Sequence, residues 1–411
     1  MSIFSNKHIM LGVTGSIAAY KAADLASKLT QAGAQVDVLL TGAAEKFVTP
    51  LTFQSVTGRR AYTDNDLWGN EAHVLHVGLG HAADLLVIAP CTANTIAKLA
   101  HGQADNLLAV TALAMRSSLL IAPAMDGGMY DHPATQENIE ILKKRGASFI
   151  GPAQGHLASG LAGVGRMIET AEIMGYIRLL LGHNGPLAGK RVVVTAGGTQ
   201  EPLDPVRVLT NRSSGKQGYA LAQAALDMGA QVTLITTPTA ITPPIGVHLV
   251  AVETAKQMLE AVLKESAESD ALVMAAAVAD FRPKNIAKDK IKKAGGIPQV
   301  ELEATEDILK TVADRRAEMP ASSAIETKRP RVVVGFAAES RDLLENAAHK
   351  LKSKGAEIFA ANDISAEDAG FAVETNRVTL LFADGRTEAL SLMSKAEVAE
   401  VILGWVAKLL E

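Results

Sequence analysis

The chain has one cysteine, Cys91, among 411 residues. No disulfide can form within it, and one thiol cannot supply a thiolate metal cage. Aromatic residues make up only 4%, too few for a base-stacking platform. An excess of one charge is also missing: 40 Lys and Arg stand against 44 Asp and Glu, for a net −4. No basic tail or stripe marks nucleic acid as the partner. Long apolar runs are absent, since the longest, such as LLVIAP at 85–90, fall far short of a membrane span. The opening MSIFSNKHIML carries no apolar core after its lysine and does not read as a secretory leader. A soluble, cytoplasmic protein without membrane contact is expected.

Apolar residues reach 48% of the chain, enough for sizeable cores, and the length suits two domains. Both halves open alike. HIMLGVTGS (8–16) is an apolar run ending in glycines, followed by a helical pattern over 17–33 and a strand pattern over 34–41. KRVVVTAGGT (190–199), the helical 214–230 and QVTLITT (231–237) repeat the unit. Further strands are expected over 83–90, 118–125, 271–280 and 331–339. The reading is α/β: two Rossmann-like, doubly wound parallel-sheet domains in tandem. Turn formers at 182–189 place the boundary, giving domains 1–182 and 189–411 around a linker at 183–188. In such sheets ligands bind at strand C-termini.

At those ends GVTGSIAAYK (12–21) brings Gly15, Ser16 and Ile17 to a helix start, where free N–H groups suit a phosphate. Thr41 ends the second strand. APCTANT (89–95) repeats the arrangement with Thr92, Asn94 and Thr95, although helix capping alone would explain those side chains. AHVLHVGLGH (72–81) holds His73, His76 and His81. A metal site, a catalytic base and a plain surface cluster all remain open, with no Cys or carboxylate set to complete a metal site. The order GVTGSIAAYK, HVGL, APCTANT, PAMDGGMY (123–130) and SGLAGVGRM (159–167) resembles the flavin-dependent cysteine decarboxylases over residues 6–180.

That resemblance implies a flavodoxin-like domain that binds FMN and removes CO2 from an N-acylated cysteine. It implies a catalytic role for His76, and substrate contacts from Met125, Asp126 and Arg166. The sequence departs from the family at three positions. Asp126 stands where the family has asparagine, Tyr130 where it has tryptophan, and Ser159 where a flap cysteine donates a proton. A hydroxyl is a far weaker acid than a thiol of pKa about 8.5. Ser159 therefore relays a proton through water, or another acid serves, or the final reduction is slow.

In the second half TAGGTQEPLDPVRVLTNRSSGKQG (195–218) is a long, Gly/Ser/Thr/Asn-rich link from strand to helix. KNIAKDKIKKAGG (284–296) carries five lysines, suited to a solvated face or to a triphosphate. With AAAVAD (275–280), GFAAE (335–339) and AND (361–363), these segments resemble the phosphopantothenoylcysteine synthetases over 187–405. The resemblance implies CTP-dependent ligation of L-cysteine to 4′-phosphopantothenate through an acyl-cytidylate. It implies catalytic roles for Asn211 and Lys290. It further implies nucleotide or substrate contacts from Asp280, Thr305, Glu306, Asp307, Ile308, Phe336, Lys350 and Lys354, and Mg²⁺ with the triphosphate. Where many relatives read Asn-Pro-Asp-Ile, this chain has Thr305-Glu306-Asp307-Ile308. Residues 315–331 are expected to be a surface loop. The family also implies a homo-oligomer, with a trimer-based decarboxylase core and dimeric ligase domains. Two alternatives stay open: an active ligase with an impaired first domain, or a flavin-binding regulatory first domain. A dinucleotide dehydrogenase is disfavoured, because neither half has the spaced-glycine fingerprint.

Overall fold

The computed structural model describes residues 2–68, 74–293, 298–318, 329–339, 343–363 and 375–411. The chain divides into two compact units, Met1–Leu181 and Gly182–Glu411.

The first unit is built on β1 (His8–Val13), β2 (Gln35–Leu40), β3 (Ala61–Thr63), β4 (Leu85–Cys91), β5 (Ser118–Pro123) and β6 (Ser148–Phe149). They form one parallel sheet in the order 3-2-1-4-5-6. Without the short edge strand β3 this is the 2-1-3-4-5 order of flavodoxin. Alternate residues feed two cores. Ile9, Leu11 and Val13 of β1 face one cluster, while Met10 faces the other. Both faces of the strands are therefore buried, and they read as continuous apolar runs rather than alternating ones.

The helices of this unit are α1 (Ala19–Gln31), α2 (Pro50–Thr57), α3 (Leu75–Ala82), α4 (Ala93–His101), α5 (Leu107–Ala114), α6 (Gly127–Asp131), α7 (Pro133–Lys144) and α8 (Thr170–Gly182). On α1, Ala19, Ala22, Leu25, Ala26 and Leu29 form the buried stripe. Thr92 caps α4, and Gly102 ends it in the left-handed region. A hairpin of β7 (Ala153–His156) and β8 (Ala162–Arg166) lies outside the sheet.

The second unit repeats the winding with β9 (Arg191–Ala196), β10 (Gln200–Pro202), β11 (Val208–Thr210), β12 (Gln231–Thr236), β13 (His248–Ala251), β14 (Ala271–Met274), β15 (Phe281–Pro283), β16 (Leu302–Ala304), β17 (Val332–Glu339), β18 (Ile358–Asp363), β19 (Thr375–Asn376), β20 (Val378–Phe382), β21 (Thr387–Ala389) and β22 (Met393–Ser394). Its main sheet runs β13-β12-β9-β14-β17-β18-β20-β21. The first six strands of that order are parallel, and β20 and β21 add an antiparallel edge. Its helices are α9 (Lys216–Asp227), α10 (Ala255–Ser266), α11 (Ile308–Glu318), α12 (Leu343–Ser353) and α13 (Lys395–Leu410). Reciprocal capping boxes, Thr254 with Gln257 and Ser394 with Glu397, start α10 and α13. Each stabilises its helix by about 1 kcal/mol.

Two expectations need correction. The strand expected over 271–280 stops at Met274, and 275–280 leave the sheet as a loop. Backbone and hydroxyl groups of Thr195, Gly197 and Thr199 take up that loop's N–H groups, so it needs no ladder. The loop expected over 315–331 begins later, because Arg315–Glu318 complete α11 and Arg316 is fixed by Glu357 at 2.8 Å. Residues 319–328 lie outside the described residues, as do His73 and Gly295-Gly296.

Candidate functional sites

In the first unit the C-terminal ends of β1, β2 and β4 meet beneath three loops. Thr14 joins two of them: its Oγ1 donates to the Pro90 carbonyl (2.8 Å) and accepts from the Thr92 N–H (3.1 Å). Gly15 is needed for the third, since an added Cβ would sit 2.5 Å from Ala43 Cβ. Ser16 Oγ accepts from the Ala18 N–H (3.3 Å), and Ile17 is 60% exposed beside it. Thr41 is buried, and its Oγ1 accepts from the Ala44 N–H. Thr95 is buried against Thr92, whereas Asn94 is exposed. Small residues, hydroxyls, loop N–H groups and an exposed apolar side chain converge here. That donor set suits a phosphate-bearing ligand, with Ile17 offering it an apolar contact.

His76 lies in the first turn of α3, the helix that precedes β4. It is half-buried, with no hydrogen-bond partner among the described residues. His81 is exposed in the last turn, at the opposite end of the helix. Among the described residues no group of three or more His, Cys, Asp or Glu could hold a metal ion. Cys91 is fully buried, and burial pushes its thiol far up from the ordinary range. It therefore offers neither a thiolate nor access.

The hairpin β7–β8 brings together two positions that the sequence singled out separately. Ser159 Oγ donates to Asp126 Oδ2 at 2.7 Å. That bond, followed by the Gly128 N–H, holds the Asp126 carboxyl below its usual range. Met125 is half-buried, and its N–H donates to the Gly165 carbonyl (3.0 Å). Arg166 binds Glu169 at 2.7 Å, and Glu169 also binds the buried Lys21 at 2.9 Å. The Lys21 link was not read from the sequence, because nothing local pairs residues 148 positions apart.

In the second unit one pocket of ≈ 520 Å³ gathers nearly every residue named from the sequence. Asn211, Asp280, Thr305, Glu306, Asp307, Ile308, Phe336, Lys350 and Lys354 all line it. The loop 275–280 forms one wall. Asn211 Nδ2 donates to the Val278 carbonyl (3.0 Å), and Thr305 Oγ1 to the Ala279 carbonyl (2.6 Å). Asp307 starts α11 by accepting from the Lys310 N–H, and pairs with Lys354 at 3.5 Å. Ile308 is buried below, and Phe336 is half-buried. Helix α9 starts at Gly215 in the left-handed region (φ 78°) without a side-chain cap. Just before it, Ser213 Oγ accepts from the Gly215 N–H (3.4 Å) and Ser214 Oγ from the Lys216 N–H (3.5 Å), and this helix start lines the pocket.

Lys290 is the exception. It is exposed and does not line this pocket. Its neighbour Ile291 is tied to Asp204 (N–H to Oδ2, 3.1 Å) and to Arg207 (through its carbonyl, 2.8 Å). Sequence reasoning missed Gln217, Asn376 and Lys395 as wall residues. Asn376 Nδ2 donates to Gln217 Oε1 (3.0 Å), and Gln217 Nε2 donates to the Lys395 carbonyl (3.2 Å). Among the described residues the buried Oδ1 atoms of Asn362 and Asn376 have no hydrogen-bond partner, and both side chains line the pocket.

Two family models match the chain: Flavoprotein over residues 3–182, and the DNA/pantothenate metabolism flavoprotein C-terminal domain over 187–410. The coenzyme A biosynthesis bifunctional protein CoaBC of Bacillus subtilis is 43% identical over 413 aligned residues, covering 99% of this chain and 98% of the relative. That of Vibrio vulnificus is 40% identical over 410 residues and covers 100% of both. A solved C-terminal domain of a CoaBC protein is 40% identical and covers 55% of this chain and 98% of its own, with TM-score 0.45.

Proposed function

The chain belongs to the coenzyme A biosynthesis bifunctional family, and from that membership we propose how its own residues divide the work. It is a bifunctional enzyme, a phosphopantothenate–cysteine ligase and a phosphopantothenoylcysteine decarboxylase. The product of the second unit is the substrate of the first.

For ligation, the 4′-phosphopantothenate carboxylate attacks the α-phosphorus of CTP and pyrophosphate leaves. The cysteine amine then attacks the acyl carbon and CMP leaves. The observation that carries the residue assignment is that one pocket of the second unit gathers wall residues that lie far apart in sequence. The α9 start and the lysines hold phosphate oxygens. Phe336 and Ile308 give the nucleoside an apolar surface, and Asn211 orients the acyl group. Mg²⁺ arrives with the triphosphate, since the described residues supply no carboxylate cage for it. Lys290, outside the pocket wall, acts at the amine-attack step, from the lysine-rich segment beside it.

For decarboxylation, FMN is held by Gly15, Ser16, Ile17, Thr41, Thr92, Asn94 and Thr95. When bound it supplies a hydride acceptor and donor, which an N-acylated cysteine needs to lose CO2. His76 moves or orients a proton at the substrate. Met125 and Asp126 beside the hairpin β7–β8, and Arg166 at the end of β8, contact the substrate. A second reading, in which the first unit stops at an enethiol, is favoured by one observation: Ser159 spends its proton on Asp126. Incubation of the protein with 4′-phosphopantothenate, cysteine, CTP, Mg²⁺ and FMN tests both readings by product mass.

Exposed apolar side chains support a homo-oligomer. They include Ile17, Tyr20, Phe47 and Leu51 in the first unit, and Val206, Val208, Phe281 and Leu302 in the second. A trimer-based first unit and a dimeric second unit is the proposed assembly. Among the described residues no helix is long and apolar enough to cross a membrane, and a cytoplasmic location is proposed.

A further inference from the structure

The hairpin β7–β8 is fastened along one side by backbone. Besides the Met125 to Gly165 bond, a side chain at Gly165 would collide with the Met125 carbonyl, and a Cβ at Gly127 would lie 3.2 Å from the Val164 carbonyl. Its tip is closed by the Leu157 N–H to the Leu161 carbonyl (2.8 Å) and the Gly160 N–H to the Leu157 carbonyl (2.9 Å). The tip residues 158–162 are all exposed. Among the described residues a single side-chain hydrogen bond joins this tip to the α6 segment, from Ser159 Oγ to Asp126 Oδ2. Asp126 is itself fixed, because its Oδ1 accepts from the Gly128 N–H at 3.0 Å.

We propose that Asp126 is a positioning residue that clasps the hairpin tip through Ser159, and that Ser159 is a second positioning residue rather than a proton source. An ionised carboxylate only accepts hydrogen bonds, so the Ser159 hydroxyl must be the donor. A hydroxyl hydrogen makes one good hydrogen bond at a time. What Ser159 presents to its other side is therefore lone pairs. The pair holds the tip in place over the ends of the strands and leaves proton supply to another group. This deepens the decarboxylase reading of the first unit and rests on it only for the identity of the substrate that the hairpin meets.

The test uses the full chain in wild-type form and as Ser159→Ala and Ser159→Thr. Hydrogen exchange of the amides at 157–161 is measured near neutral pH. Loss of one net hydrogen bond should speed tip exchange about fivefold in S159A, and S159T should restore protection. With FMN and 4′-phosphopantothenoylcysteine supplied, S159A should raise KM by a similar factor and change kcat less, with S159T again restoring it. Equal tip protection in wild type and S159A would overturn the clasp. A kcat that collapses at unchanged KM in S159A would overturn the positioning role and make Ser159 the proton source. If even the wild type turns nothing over, the decarboxylase reading fails instead, and the exchange data decide the clasp alone.

Discussion

His76 and Lys290 are the side chains whose removal should separate the two reactions. His76 is half-buried and has no hydrogen-bond partner among the described residues. His76→Asn should lower decarboxylation by about 10²- to 10⁴-fold and leave ligation intact, so that 4′-phosphopantothenoylcysteine accumulates. Unchanged CO2 release in that variant would remove His76 from the chemistry. Lys290→Gln should do the reverse, slowing amide formation while a supplied acyl-cysteine is still decarboxylated. Quenched-flow detection of the acyl-cytidylate would show whether the block falls at amine attack, as proposed, or earlier. His76, Lys290 and the pocket residues of the second unit could be named only through the family resemblance, whereas glycine-rich turns and strand ends marked the loops at Gly15, Thr41 and Thr92. What could not be read was pairing across distance. Asp126 and Ser159 were each singled out as departures, yet their 2.7 Å contact depends on how the hairpin folds back. Gln217, Asn376 and Lys395 meet only because α9 and α13 pack together.

At the scale of elements, the close approach of α9 to β9 depends on Gly218. A Cβ there would lie 2.5 Å from Ala196 Cβ and 2.7 Å from the Thr195 carbonyl. Gly218→Ala should push the helix off the sheet, destabilising the second unit by roughly 1–3 kcal/mol. It should also raise the KM for CTP, since the α9 start lines the pocket. Denaturant titration and steady-state kinetics check the two effects.

In the first unit β1 and β2 share an ion cluster. Asp37, 3% exposed, binds Arg59 at 2.7 Å and His8 at 2.5 Å. The Asp37 hydrogen bond raises the pKa of His8, against its burial. Burial opposes the ionised form of Asp37, but His8 and Arg59 together hold its pKa below the usual range. The His8 contribution is thus fully present below its unfolded pKa of about 6.5 and is lost as pH rises through the raised folded value. The Asp37 contribution is present above about 3.9 and is lost as pH falls through the depressed folded value. The stability gap between wild type and His8→Gln should therefore be widest on the acid side of pH ~6.5 and shrink toward alkaline pH. A gap independent of pH would contradict the pairing. Strand positions were legible from apolar runs. The run 271–280 misled because it is continuously apolar up to Asp280, while the loop after Met274 is held by side-chain and backbone partners that no local pattern reveals.

At the scale of the whole chain, Gly33-Ala34-Gln35-Val36 recurs as Gly229-Ala230-Gln231-Val232 at the helix-to-strand corner of each half. That corner is common in α/β folds; the two sheets were legible from the strand–glycine turn–helix–strand units that open each half. The antiparallel edge of β20 and β21 was not legible, because short strands behind a long connection carry little pattern. Light scattering should give a mass several times the 43.1 kDa of one chain, through the exposed apolar surfaces of both units; a monomer would remove the proposed assembly. The most direct measurement is the product mass after incubating the full chain with 4′-phosphopantothenate, cysteine, CTP, Mg²⁺ and FMN. Accumulation of 4′-phosphopantetheine is the expected result, with both units working in sequence. An end-point of 4′-phosphopantothenoylcysteine, or of an enethiol lighter by two hydrogens, would contradict a complete first unit, and no conversion at all would contradict the residue assignments in both.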